Sequence, residues 1–189
     1  MIQEIISLLK ANNKKYKHYA YLPSFEEFNE YNKGTYDLFK TNKSIEDRFL
    51  FTAKDIFNTY NLPTQMGSPQ WKDFNAGNNA RVISDLLIAG DKLVGKTTTS
   101  EFAVHEETAV INPWDKKRTV GTSSAGAPIS LLIDGLDFAL GTQTGGSIGR
   151  PASYCGVPAI KPTFGLIPRT GILKTCDPFD TVGFFSKNL

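Results

Sequence analysis

Between Phe49 and Pro151 the chain alternates compact apolar runs with amphipathic stretches that end in glycine, and this order constrains the fold more than any other feature. Phe49-Leu-Phe-Thr-Ala53 reads as a buried strand that delivers Lys54 and Asp55 at its end. A helix is expected from near Asn78, with Val82, Ile83, Leu86 and Leu87 on one face and Gly90 as its C-terminal cap. Lys92-Leu-Val94 is a short strand. A second helix starts around Gly126 to Pro128, where proline is tolerated in a first turn, and carries Ile129, Leu131, Leu132 and Ile133 to Gly135. Phe138 to Leu140 then read as the end of a buried strand. Strand, helix and strand in this order predict an α/β layered sandwich, with helices covering a mixed, largely parallel central sheet.

The front third has a different texture. Ile2, Ile5, Ile6 and Leu9 recur at helical spacing, predicting a short amphipathic helix over residues 2–10 and a loop at Ala11 to Tyr16. Ser24-Phe-Glu-Glu27 is a capping box for a helix running toward Asn32 and Gly34. These features predict a helical accessory segment over residues 1–48 ahead of the layered part over 49–189. Pro63, Gly67 and Pro69 make Asn61 to Gln70 a loop.

Composition excludes some classes of function. A formal net charge of +2, with basic residues spread among nearly as many acids, gives no basic stripe for nucleic acid. The apolar runs are too short to cross a membrane and the first residues are not a basic secretory start, so the expected compartment is the cytoplasm. The two cysteines, Cys155 and Cys176, are expected as free thiols, and with two distant histidines they form no zinc spacing; no metal or cofactor is expected. His18 and His105 read as solvated surface residues, which disfavours a Ser-His-Asp arrangement.

Gly90-Asp-Lys-Leu-Val-Gly95-Lys96-Thr97 matches the letters of a phosphate-binding loop. Its context is reversed. Such a loop needs a strand before its first glycine and a helix at its lysine, whereas here a helix ends at Gly90 and Leu93 and Val94 look like strand.

Two small-residue turns remain. Val120-Gly-Thr-Ser123-Ser124-Ala-Gly126 precedes a helix, and Gly141-Thr-Gln-Thr-Gly-Gly-Ser147 follows a strand, one helix and one strand later. Taken alone, the Ser147 turn suits a tight loop with a serine cap, and Lys54 suits a surface lysine that snorkels or pairs with Asp55. The crossover path, however, can return Ser147 to the sheet edge that holds Ser123, while Lys54 arrives from its own strand.

With the motifs Lys54-Asp-Ile-Phe, Gly95-Lys-Thr-Thr-Thr-Ser-Glu-Phe102, Asn112-Pro-Trp-Asp115, Gly121-Thr-Ser-Ser-Ala-Gly126, Gly141-Thr-Gln-Thr-Gly-Gly-Ser-Ile148, Arg150-Pro-Ala-Ser-Tyr-Cys-Gly156 and Lys161-Pro-Thr-Phe-Gly165 in order, the chain resembles the amidase signature family. The resemblance runs from Phe51 to about Phe185. It implies Ser147 as nucleophile, Ser123 as bridging serine behind a cis Thr122–Ser123 bond, and Lys54 as general base and acid. It also implies an oxyanion hole from the amides of Thr144, Gly145, Gly146 and Ser147, and a small-molecule amide as substrate. For the lysine to be half neutral at pH 7 its pKa must fall by about 3.4 from the ordinary value, or roughly 4.6 kcal/mol, for which burial is the sensible source.

The chain departs from the family pattern at Thr122, commonly glycine, and at Gln143 and Gly149, commonly an acid and an arginine; Arg150 is then left for a different clamp. The resemblance further implies a domain of twice this length or more, so the chain is expected to be its N-terminal portion, with exposed sheet edges that favour self-association or a partner. The functions implied are amide hydrolysis through a seryl acyl-enzyme, glutamine hydrolysis as the A-type component of an aminoacyl-tRNA amidotransferase beside a partner subunit, or a catalytically silent fragment.

Overall fold

The computed structural model describes residues 2–33 and 48–188, so Gly34 and residues 35–47 ahead of the expected boundary lie outside the described residues. Eleven elements follow one another: α1 Ile2–Tyr16, β1 Tyr19–Tyr21, α2 Phe25–Lys33, β2 Leu50–Lys54, α3 Arg81–Ala89, β3 Lys92–Thr97, α4 Ala127–Asp134, β4 Phe138–Gln143, α5 Gly149–Cys155, β5 Ala159–Ile160 and β6 Thr181–Ser186. The six strands form one sheet in the order β1-β3-β2-β4-β6-β5.

The sheet is mixed as expected, but its parallel part is only the centre. β3, β2 and β4 run parallel, because α3 and α4 cross over between them. The β1–β3, β4–β6 and β5–β6 pairs are antiparallel. The β2–β3 ladder also carries an irregularity: Phe51 pairs with Leu93, yet Thr52 pairs with Gly95, so Val94 is the extra residue of a bulge.

Alternation along the strands sorts the core into two layers. Val94, Ala139 and Phe185 face Ile6 and Leu9 of α1, Ala127 and Leu131 of α4, and Ala152 of α5. Phe51, Ala53, Leu93 and Leu140 face Ile83 and Leu87 of α3. The segment expected as accessory therefore shares this core, and β1 extends the same sheet. On the α3 side an open apolar groove of about 640 Å³ is lined by Phe49, Val82, Leu86, Phe138 and Phe184, among others.

Local signals and tertiary bonds divide the work of setting element ends. The capping box forms as read, with Glu27 N donating to Ser24 Oγ at 3.1 Å and Ser24 N to Glu27 Oε2 at 2.7 Å. Gly90 and Gly135 cap α3 and α4 in the left-handed conformation, at φ 99° and 69°. The loop expected at Ala11 to Tyr16 is instead the second half of α1. Asn12 is anchored there by a 2.8 Å bond to Asp134 on α4, while the Asn13 side chain bonds Tyr19 N at 2.8 Å, so partners distant in sequence or in the next strand hold a polar helix turn that periodicity misses. Similarly β3 continues past Val94 to Thr97, because Gly95, Lys96 and Thr97 have strand partners on β2.

Candidate active site

Lys54 is the last residue of β2 and is fully buried. Its Nζ donates to Ser123 Oγ at 2.7 Å and to Thr142 Oγ1 at 3.0 Å. Burial without a carboxylate in contact pushes the amine down to about 7, against the pull of the Asp180 carboxylate. Asp180 is occupied elsewhere: it accepts hydrogen bonds from the hydroxyls of Thr144 and Thr175 and from the amides of Thr175 and Cys176. The neighbour that could have paired with Lys54 turns away. Asp55 Oδ1 lies 3.1 Å from Lys96 Nζ, so neither the snorkelling nor the Asp55-paired reading of Lys54 applies.

Ser123 sits in the turn before α4, where Gly121 has φ 82° and the Thr122–Ser123 peptide is cis. The turn is tied to the end of β3 from both sides: Ser100 N donates to Ser123 O at 3.2 Å, and Gly126 N donates to Thr98 O at 2.9 Å. Glycine is required at 126, since a Cβ there would fall 2.1 Å from the His18 carbonyl oxygen. Only at this closeness does α4 start against β1.

Ser147 lies in the turn between β4 and α5 and is 7% exposed. Gln143 Oε1 shapes the turn by accepting the amides of Ile148 at 2.9 Å and Gly149 at 2.8 Å. Ser124 N donates to Ser147 O at 3.4 Å, which places the two serine turns side by side. The Ser147 hydroxyl makes no hydrogen bond among the described residues, so the Lys54–Ser123 link stops at Ser123; such bonds are commonly loose until a substrate tightens them. Among the described residues no acceptor takes the amides of Gly145, Gly146 or Ser147. Space beside Gly145 is open, with no heavy atom within 4 Å of where a Cβ would stand.

The histidines lie elsewhere. His105 is exposed as expected, but His18 is buried, its Nε2 2.7 Å from Asp134 Oδ2, an acid that also accepts from Tyr19 Oη at 2.8 Å. A surface reading of His18 fails because its partner is on α4, far away in sequence. The phosphate-loop letters resolve as a helix cap at Gly90 followed by β3, with Lys96 inside a strand. Both cysteines are free, and among the described residues no group of three or more His, Cys, Asp and Glu side chains could hold a metal ion. None of the described helices is long and apolar enough to cross a membrane. Two residues of the site, Thr142 and Asp180, do not stand out in the sequence reading. Thr142 had a signal, being a hydroxyl just ahead of the glycine-rich turn; Asp180 had none.

Fold and site together define an open α/β sheet carrying a buried lysine hydrogen-bonded to a serine, beside a glycine-rich turn that holds a second serine. Residues 50–189 match the family model described as Amidase, and the chain belongs to that family. It is 39% identical over 137 residues to the A-type component of the glutamyl-tRNA(Gln) amidotransferase of Halobacterium salinarum, covering 69% of this chain and 32% of the relative. The corresponding protein of Natranaerobius thermophilus is 41% identical over 142 residues, covering 72% and 29%. The chain thus spans about a third of the length of these relatives. Among solved structures, the A-type component of the Thermotoga maritima glutamyl-tRNA(Gln) amidotransferase aligns with a TM-score of 0.80 at 27% identity, covering 98% of this chain and 40% of that one. A substrate complex of 6-aminohexanoate cyclic dimer hydrolase aligns with a TM-score of 0.82 at 25% identity, covering 97% and 39%.

Proposed function

We propose that the chain carries the nucleophile half of an amide hydrolase acting on a small-molecule amide. The observation that carries this reading is the 2.7 Å bond between Ser123 and a buried Lys54 whose amine is pushed down to about 7. A lysine near that value holds a substantial neutral fraction at physiological pH, and its lone pair can then accept the Ser123 proton. Ser123 in turn takes the proton of Ser147 as Ser147 Oγ attacks the amide carbon. Negative charge on the former carbonyl oxygen is met by the amides of Thr144, Gly145, Gly146 and Ser147, of which those of Gly145, Gly146 and Ser147 have no described acceptor. The proton passes back through Ser123 to the leaving nitrogen, the C–N bond breaks, and an acyl group remains on Ser147. Water then attacks the ester by the same relay and releases the acid.

A fluorophosphonate probe tests this reading. One label is expected on the protein, absent in Ser147→Ala and slowed in Lys54→Ala; labelling that persists unchanged in Ser147→Ala would sink the assignment. The names of the curated relatives support a second reading, in which the amide is glutamine and the ammonia released is passed to a partner protein that acts on aminoacyl-tRNA. Ammonia release from glutamine that depends on a copurifying partner would favour it over simple hydrolysis.

A further inference from the structure

Arg150 is the second residue of α5 and is half-buried, with its guanidinium turned back toward the serine turns. Nε and Nη2 donate to the Thr122 carbonyl oxygen at 3.3 and 3.2 Å. Nη2 also lies 3.0 Å from His105 Nδ1. The third nitrogen stands under the other turn: a Cβ on Gly146 would fall 2.7 Å from Nη1. Thr122 is the residue before Ser123, and Gly146 is the residue before Ser147. One planar cation therefore touches the neighbour of each serine.

The backbones agree with this arrangement. A Cβ on Gly121 would meet Pro151 N at 2.9 Å and Arg150 C at 3.0 Å, so the Ser123 turn rests directly on the first turn of α5. Among the described residues no carboxylate pairs with Arg150; its charge is directed at a carbonyl dipole and an imidazole nitrogen. Gln143 also holds the Ser147 turn with a neutral oxygen and Asp180 accepts the Thr144 hydroxyl, so Arg150 is the cation in this bracing.

We propose that Arg150 is a positioning residue that sets the separation of Ser123 and Ser147 by bracing the Thr122 carbonyl against Gly146. Its importance for catalysis rests on the reading of these serines given above. A guanidinium suits the task because its N–H groups form a rigid fork that reaches one oxygen from two nitrogens, whereas a lysine ammonium is a point donor on a flexible stem. Charge assistance strengthens both bonds without the need for a buried carboxylate.

The test compares the parent protein, Ser147→Ala, Arg150→Ala and Arg150→Lys in two measurements. Fluorophosphonate labelling is expected to slow about 10- to 100-fold in Arg150→Ala, the scale of loss for a misplacement of about 1 Å, with little recovery in Arg150→Lys and partial rescue by added guanidinium. The pH midpoint of labelling stays at the parent value, since the Lys54 contacts are untouched. Amide hydrogen exchange, which requires no activity, is expected to quicken in Arg150→Ala at the hydrogen-bonded amides of both turns, Ser124–Ala125 and Ile148–Gly149. Unchanged exchange at either turn, or a labelling loss that guanidinium does not relieve, overturns the brace. A parent that labels independently of Ser147 refutes the serine reading instead, and the exchange measurement alone then decides on Arg150.

Discussion

Lys54 and Lys96 stand on adjacent strands, both fully buried, and have opposite electrostatic surroundings. Lys96 Nζ is ringed by Thr59 Oγ1 at 3.1 Å, Pro63 O at 3.0 Å, Thr64 Oγ1 at 3.1 Å and Asp55 Oδ1 at 3.1 Å. Burial pulls its pKa below the lysine range, while the Asp55 charge pulls it back. Lys54 has two hydroxyls and no carboxylate in contact, and falls to about 7. Burial lowers both amines and raises Asp55, and what differs is the contact: a carboxylate opposes the fall at Lys96, whereas hydroxyls alone meet Lys54. Lys96 pins the loop after β2, and the same pairing keeps Asp55 away from Lys54.

Four experiments break or sharpen this contrast. Replacing Lys54 by Met is expected to slow probe labelling of Ser147 by about 10²- to 10⁴-fold, the usual weight of a general base, whereas an equal loss in Lys96→Met at matched folding would erase the distinction. In urea unfolding, Lys96→Met is expected to cost about 3–5 kcal/mol by stranding Asp55, with most of that recovered when Asp55→Leu is added. Lys54→Met is expected to move stability the other way, by about 1–4 kcal/mol at pH 6, because it removes a buried charge that lacks a carboxylate partner.

The sign of its pH dependence follows. Between about 7 and 10.5 the unfolded chain holds a proton on Lys54 that the folded chain has lost, so this lysine makes stability rise with pH through that window. The Lys54→Met unfolding curves should rise less steeply with pH than those of the parent, keeping the part of the slope that half-buried Lys92 and buried Lys96 contribute. The smallest change is expected from Asp180→Asn, which removes the charge that raises Lys54 and moves the pH midpoint of labelling down by about one unit. An upward move would show that Asp180 acts on Lys54 through something other than its charge.

Much of the central sheet and of the serine–lysine constellation was legible in the chain. Apolar runs, glycine caps and the capping box depend on neighbours in sequence, and they fall within a few residues of where they were read. Lys54 and Ser123 were paired by resemblance, and the fold brings them to hydrogen-bonding distance. What escaped depends on partners far along the chain. His18 is buried by Asp134, Asp55 is claimed by Lys96, and the polar end of α1 is anchored on α4. The antiparallel flanks escaped for a related reason, since β6 returns beside β4 only after a long irregular segment.

The bulge at Val94 has a consequence for charge. Leu50 pairs with Lys92 and Phe51 with Leu93, and an unbroken ladder would continue to set Lys54 opposite Lys96. Two ammonium groups would then share one face of the sheet, a like-charge pairing that destabilises adjacent strands. The extra residue advances the partner by one, so that Lys54 meets Thr97 and Ala53 meets Lys96. A single-residue change of register sends a side chain to the opposite face. Val94 thereby acts as an insulator: it places the thickness of the sheet between the two amines and lets one strand pair carry both a lysine held by hydroxyls and a lysine held by a carboxylate.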